Sequence, residues 1–304
     1  LPLTLFPYTT LFRSLALKQR AQQNKKAEEK KKELEEFIAR FSANVAKSKQ
    51  ATSRKKMIDK LNIEEIKPSS RRYPGIIFEM DRESGDQILN VNQLSFDEIS
   101  KPIDFTLNKG NKVVLYSKDS KISSKFYEII NGIDTNYSGE FRWGSTISSS
   151  YLPLNNDSYF NKNINLIDWL RQWANNDEER EEVFIRGFLG KMIFSGEEAL
   201  KSCNVLSGGE KVRCILSKMM MERSNFLMLD EPTNHLDLET IQTLNNSLIK
   251  FKGNLILTTH DYEFANSVGN RVIEIGTNGI IDKLMTFEDY LSDNKVKLLR
   301  EEIY

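Results

Sequence analysis

The strongest constraint on the fold is one apolar run and the two residues that follow it. Phe226-Leu227-Met228-Leu229 is short and uniformly apolar, and it runs straight into Asp230-Glu231. A strand with one solvated face alternates apolar and polar residues, whereas an unbroken apolar run fits a parallel sheet covered on both faces. Open α/β sheets bind ligands at the carboxyl ends of their strands. The two carboxylates therefore stand where chemistry is done. Upstream, Ser207-Gly208-Gly209 precedes apolar residues at helical spacing, Val212, Ile215, Leu216 and Met219. That pattern predicts a glycine-rich turn opening an amphipathic helix, with backbone amides free to meet an anion.

Singly, each piece has an ordinary structural reading, a helix cap for Ser-Gly-Gly and a helix start for Asp-Glu-Pro. Jointly they offer a phosphate site, a hard carboxylate at Asp230 for Mg²⁺ and a base at Glu231 to polarise water, the equipment of nucleotide hydrolysis. LSGGEKVR, then LDEPTNHLD, then Thr258-Thr259-His260-Asp261 resembles the ATP-binding cassette family. The wording EKVR and EPTNHLD is similar to the ABC-F branch, soluble twin-cassette ATPases that act on ribosomes. The resemblance covers nearly everything from Leu15 onward. It implies an α/β fold: a P-loop NTPase-like sheet, an antiparallel β subdomain and a helical signature subdomain, preceded by an α-helical hairpin linker. It also implies ATP and Mg²⁺ as ligands. The signature Ser207, Gly208, Gly209 and Glu210 would touch ATP, Asp230 and Ser124 would hold the metal, and Glu231 and His260 would be catalytic. Asn234, His235 and Asp237 would form the loop that couples two cassettes.

The chain has 304 residues, 39% of them apolar, enough to bury a core. No apolar run approaches membrane-spanning length. Cys203 and Cys214 have no CxxC or Cys/His company, which fits reduced thiols in the cytoplasm. The net charge of zero hides an asymmetry: residues 15–73 carry 17 Lys/Arg against 8 Asp/Glu, and the rest of the chain is acidic. A basic arm on an acidic body points to nucleic acid as the arm's partner, with a solvated helical face as the milder reading.

Residues 1–14, LPLTLFPYTTLFRS, lack an initiator Met and a signal-peptide pattern. They resemble sequencing-adapter read-through, which would leave this chain the carboxyl-terminal part of a longer protein. Residues 15–73 read as a helical hairpin: Leu34, Phe37, Ile38 and Phe41 form a stripe that Met57, Ile58 and Leu61 can cover. Its tip and returning turn carry Lys47, Lys49, Arg54, Lys55 and Lys56 without an acid. This stretch resembles the ABC-F inter-cassette linker, whose tip reaches P-site tRNA on the ribosome, a contact made by charge and shape.

Residues 74–292 read as the cassette. Ile88–Leu94 and Ile103–Leu107 are expected as antiparallel strands, and Lys112–Tyr116 as the strand leading into the phosphate loop. In this family an early aromatic stacks on adenine, and Phe96 takes that place. The loop itself departs from the family. Counting back from Gly132, GxxxxGK[ST] should occupy Ser117 to Ser124, but the chain reads SKDSKISS. Ser117 and Ile122 replace the glycines and Ser123 replaces the lysine that neutralises phosphates. Only Ser124 fits, and Lys121 or Lys125 are the nearby charges that could stand in. Leu154 likewise stands where a glutamine is expected. Weak or absent ATP binding at this half-site is the expectation, with an isolated chain weak or inactive as an ATPase.

Asn163 to Asn204 reads as the helical subdomain, Leu238–Phe251 as a helix, Asn254–Thr259 as a buried strand, and Arg271–Ile275 with Gly279–Lys283 as a closing hairpin. A last helix begins at Phe287, and residues 293–304 show nothing assignable. Because cassettes pair head to tail, the signature would complete an ATP site whose phosphate loop belongs to an upstream cassette. Two rival readings remain: a docking or regulatory cassette that hydrolyses nothing, and the nucleotide-binding domain of a transporter.

Overall fold

A computed structural model describes residues 73–304, which form one compact unit. The expected hairpin linker, with Lys47, Lys49, Arg54, Lys55 and Lys56 at its tip, lies outside the described residues, as does the 1–14 stretch.

The described chain begins with strands β1 (Gln87–Ser95), β2 (Ile103–Asn108) and β3 (Lys112–Tyr116), helix α1 (Ser120–Ile130), and strands β4 (Ser138–Trp143) and β5 (Ser149–Leu152). A helical stretch follows, with α2 (Leu166–Arg171), α3 (Asp177–Arg180), α4 (Glu182–Lys191) and the long α5 (Gly208–Glu222). Next come β6 (Phe226–Asp230), α6 (Leu238–Lys250), β7 (Asn254–Thr258) and α7 (Tyr262–Val268). The hairpin β8 (Arg271–Gly276) and β9 (Gly279–Lys283) precedes α8 (Phe287–Ser292) and α9 (Asn294–Ile303).

Two sheets result. β1 pairs antiparallel with both β2 and β4, making a three-stranded sheet. The main sheet has the order β5-β6-β7-β3-β8-β9, parallel throughout except for the antiparallel edge strand β9. The absence of alternation in β6 has the predicted cause. Phe226 and Met228 pack into the layer holding α1 and the antiparallel sheet, while Leu227 and Leu229 pack into the layer of helices on the other face. β3 and β7 divide in the same way: Val113, Leu115 and Ile256 on one side, Val114, Leu255 and Leu257 on the other. Both faces are dry, so the middle of each strand is apolar, and polar residues stand only at the ends, at Lys112, Asn254, Thr258 and Asp230.

The helical subdomain is organised on Trp169, which is fully buried, stacks on Phe160 at a centroid distance of 4.8 Å and donates its indole N–H to the Tyr159 carbonyl over 2.7 Å. Residues 293–304, which the sequence leaves unassigned, form α9 and lay Val296 and Ile303 into the core. Among the described residues no helix is long and apolar enough to cross a membrane.

One difference from the sequence reading bears on the site. Helix α1 was expected from Lys125 but starts at Ser120. Without the two glycines nothing holds the preceding loop open, and Asp119 supplies a cap whose side chain accepts a hydrogen bond from the Lys121 amide over 2.9 Å. Five residues of the expected loop are thereby wound into helix.

Candidate functional site

The carboxyl ends of β6 and β7 bring the acidic pair together. Asp230 is buried, and its two oxygens are separately engaged: Oδ1 accepts from the Thr258 hydroxyl over 2.7 Å and Oδ2 from the Ser124 hydroxyl over 2.8 Å. Burial raises its carboxyl above the usual range, while these two hydroxyls and the Leu154 backbone amide pull it back. Leu154 therefore reaches the site through its main chain, although its side chain is exposed. Glu231 leaves the strand with φ of +50°, a left-handed conformation unusual for a residue with a Cβ. Its amide is held by the carbonyl of Thr258 at 3.2 Å and by the hydroxyl at 3.0 Å. The turn aims the carboxylate at His260: Oε2 accepts from the His260 amide over 3.2 Å, and Oε1 lies 3.5 Å from Nε2. Burial raises the Glu231 carboxyl, the His260 contacts lower it, and the charge of Asp230 raises it again. The His260 side chain is 80% exposed, so its imidazole can meet a ligand from outside.

The signature turn forms as the sequence predicts. Ser207 caps α5 in a complete capping box, with its backbone N–H donating to Glu210 Oε2 over 2.9 Å and its hydroxyl accepting from the Glu210 amide over 3.4 Å. Burial raises the Glu210 carboxyl, but the Ser207 backbone hydrogen bond, followed by Lys201 at 3.0 Å, outweighs it and leaves the group below its ordinary value. Ser207 and Gly208 are exposed. The glycines also have a use the sequence does not suggest. A Cβ on Gly209 would stand 2.4 Å from the His235 carbonyl oxygen, and one on Gly208 would stand 3.3 Å from the His235 ring. The coupling loop thus packs directly on the helix start. Asn234 donates its amide to the Glu231 carbonyl over 3.1 Å, His235 sits at φ +63°, and Asp237 caps α6 by accepting from the Thr240 amide over 2.8 Å.

The phosphate loop differs in several respects from its sequence reading. Ile122 was expected over the phosphate seat; winding α1 back to Ser120 turns it into the core, 1% exposed beside Phe126 and Tyr127. Ser123, in the lysine position, is buried and folds its hydroxyl onto the Ser120 carbonyl over 3.1 Å. Lys125 is committed to Asp134, whose carboxylate accepts from its ammonium and raises its pKa. Phe96 is 5% exposed within the core, so burial leaves it no ring face to offer a base.

Ser124 and Asp230 are hard oxygen donors 2.8 Å apart and fit a Mg²⁺ ion that takes its remaining ligands from water or phosphate. Among the described residues no three His, Cys, Asp or Glu side chains gather into a metal cage. The adjoining loop does not present the open run of amides that a chain of phosphates needs, since it is wound into α1 and the Asp119 carboxylate already holds the Lys121 amide. Sequence reasoning passed over Asp119 and Tyr304, both of which act on this loop. Asp119 followed by an apolar pattern is a legible cap signal; for Tyr304 the sequence carries no signal.

Residues 12–78 and 100–234 match two families, each described as ABC transporter. The ABC transporter ATP-binding protein YkpA of Bacillus subtilis (strain 168) is 48% identical over 295 residues, 95% of this chain and 54% of the relative. ABC transporter F family member 2 of Arabidopsis thaliana is 29% identical over 288 residues, 90% of this chain and 41% of the relative. The chain spans about half the length of the curated relatives it matches. In fold it is similar to the ATP-binding cassette MJ0796, solved as a dimer in a post-hydrolysis state with ADP and Pi. That match has a TM-score of 0.52 and 16% identity, and it covers 66% of this chain and 99% of the other.

Proposed function

We propose, from the premise that this chain carries an ABC transporter ATP-binding domain with ABC-F members among its homologues, that it works as one cassette of a twin-cassette ABC-F ATPase on the ribosome. In this reading its signature, Ser207 to Glu210, completes an ATP site whose phosphate loop belongs to a partner cassette. The observation that carries the proposal is the contrast between the two halves of the site. The signature turn is formed, capped and exposed, while the chain's own phosphate loop is wound into α1.

The partner cassette's nucleotide would meet the free amides of Gly208 and Gly209 at the start of α5, which suit phosphate oxygens, while the Ser207 hydroxyl would first have to leave Glu210 Oε2, to which it donates over 2.9 Å. His235, packed on Gly208 and Gly209, ties that helix start to the turn carrying Glu231. Closure at the signature would thereby be felt at the acidic pair. Glu231, held by His260, would orient water only on a nucleotide seated in this chain's own half-site, and with that seat closed it would serve to couple the halves. The segment 15–73 would bring Lys47, Lys49, Arg54, Lys55 and Lys56 to the phosphates of P-site tRNA, with each phosphate contact making the slope of log affinity against log salt more negative by about 0.7–0.9. The protein would work in the cytoplasm without a membrane partner.

The test is cosedimentation of the chain with ribosomes over a salt series, alongside a variant with the five basic residues changed to Ala. Salt-sensitive association that the variant loses supports the reading. Association that neither salt nor the substitutions alter refutes it. The winding of the phosphate loop favours a second reading, a docking cassette that hydrolyses nothing. Phosphate release by a two-cassette protein that contains this chain, with and without Glu231→Gln, separates the two. Release lost in Glu231→Gln supports hydrolysis at Glu231, and release that the substitution leaves unchanged supports docking.

A further inference from the structure

The loop that should receive phosphate has become the target of contacts from inside the chain. Asp119 places a carboxylate at the start of α1, on the Lys121 amide at 2.9 Å. A helix start draws an anion because its first amides lack partners and the macrodipole is positive there. Here the anion is covalently supplied. The Asp119 amide is turned inward as well, donating to the Ser117 hydroxyl over 3.3 Å. From the other side comes Tyr304. Its hydroxyl accepts from the Lys118 amide over 2.8 Å, and its ring lies beneath the Lys118 ammonium at 3.8 Å. One contact removes an amide and the other a charge that a phosphate could use.

Tyr304 is brought to this position by a fixed helix. Arg300 of α9 donates through Nε to Glu274, a fully buried carboxylate on β8, over 2.6 Å, and the Tyr290 hydroxyl donates to the same oxygen over 2.6 Å. The Arg300 guanidinium lies over the ring of Tyr116, 5.0 Å from its centroid, and Tyr116 is the last residue before the loop. At the end of α9, the Ile303 carbonyl accepts from the Asn278 amide over 2.9 Å. It lies so close to Gly276 that a Cβ there would stand 2.3 Å from the oxygen.

We propose that Asp119 and Tyr304 are the exclusion determinants of this half-site: Asp119 takes the place of the phosphate at the α1 start, Tyr304 clasps the loop shut, and the chain's own nucleotide seat is closed to nucleoside triphosphates. The proposal deepens the composite-site reading and rests on it, since a permanently closed seat leaves the signature as this chain's contribution to nucleotide binding. It makes the closure a property of two side chains acting on named amides, beyond the loss of loop glycines and lysine.

Residue-resolved amide hydrogen exchange of the full chain tests it, with Mg-ATP as probe. The Lys118 and Lys121 amides are expected to be protected in the nucleotide-free chain, and saturating Mg-ATP leaves that protection unchanged. Tyr304→Phe removes the acceptor at Lys118 while keeping the ring, and speeds exchange of that amide on the order of tenfold without affecting Lys121. Asp119→Ala does the reverse, speeding Lys121 by a similar factor. Two results overturn the proposal: amides already unprotected in the free chain that gain protection when Mg-ATP is added, or protection that neither substitution changes. The readout uses neither ribosomes nor a second cassette. Failure of the ribosomal reading therefore appears in cosedimentation alone, and failure of the closed seat in exchange alone.

Discussion

Gly208 and Gly209 look equivalent in the sequence, and the structure predicts that they answer differently to the same change. In Gly208→Ala the new Cβ meets the His235 ring at 3.3 Å, and that side chain is exposed and free to rotate away. In Gly209→Ala it meets the His235 carbonyl oxygen at 2.4 Å. That carbonyl belongs to a residue already at φ +63°, in a turn tied down by the Asn234 amide on the Glu231 carbonyl. Relief requires a backbone shift of about an ångström, and overpacking of this kind costs roughly 1–3 kcal/mol. Alanine in a helix recovers at most about 1 kcal/mol over glycine. Gly208→Ala should therefore lie between neutral and about 1 kcal/mol more stable, and Gly209→Ala about 1–2 kcal/mol less stable. At about 2–4 °C per kcal/mol for a domain of this size, the two melting temperatures separate by several degrees. Urea unfolding followed by tryptophan fluorescence measures the difference, provided the slope against denaturant stays constant. Equal midpoints, or a Gly209→Ala variant as stable as the parent, would refute the close-approach argument. The glycines would then matter only for their amides.

Three further predictions test other parts of the site. Burial raises the Glu231 carboxyl, so the folded state favours its neutral form; the stability this lends is present below the ordinary carboxylate pKa and is lost as pH rises through the folded value. Glu231→Gln should accordingly melt higher than the parent at pH 7 and converge with it near pH 4, and a gap that widens on acidification would contradict the sign. Arg300→Met strands the fully buried Glu274, a loss of about 3–5 kcal/mol in urea unfolding, and adding Glu274→Gln should restore most of it; a loss below about 1 kcal/mol would show the pair to be incidental. Ser207→Ala removes the α5 cap and should cost about 1 kcal/mol, whereas Ser207→Asp, which keeps a capping oxygen, should cost little; equal losses in thermal melts would mean that the hydroxyl caps nothing.

The parts of the molecule that were legible in the sequence are those set by local chemistry. An apolar run has to be covered on both faces, so Phe226 to Leu229 announced a parallel strand, and its two layers took alternate residues as required. Ser207-Gly208-Gly209 announced a turn opening a helix, because two glycines and a short hydroxyl stand directly before an apolar helical pattern. Asp230, Glu231 and His260 could be expected together because each sits at the end of a buried strand, and strand ends share an edge. The missing glycines and lysine were equally plain at positions 117, 122 and 123.

Tertiary structure alone decided how those losses were absorbed. Helix α1 could extend back to Ser120 because Ile122 found a place in the core, an outcome that depends on residues more than a hundred positions away. Phe96 was withdrawn from any ligand by burial, and Leu154 was kept at the site by its main chain. The need for glycine at 209 comes from the carbonyl of residue 235, and the clasp on Lys118 comes from residue 304. Sequence fixes local propensities, which depend on neighbours a few positions apart. Contacts across the fold depend on where the chain returns, and there a residue's role is set by whatever packing brings against it.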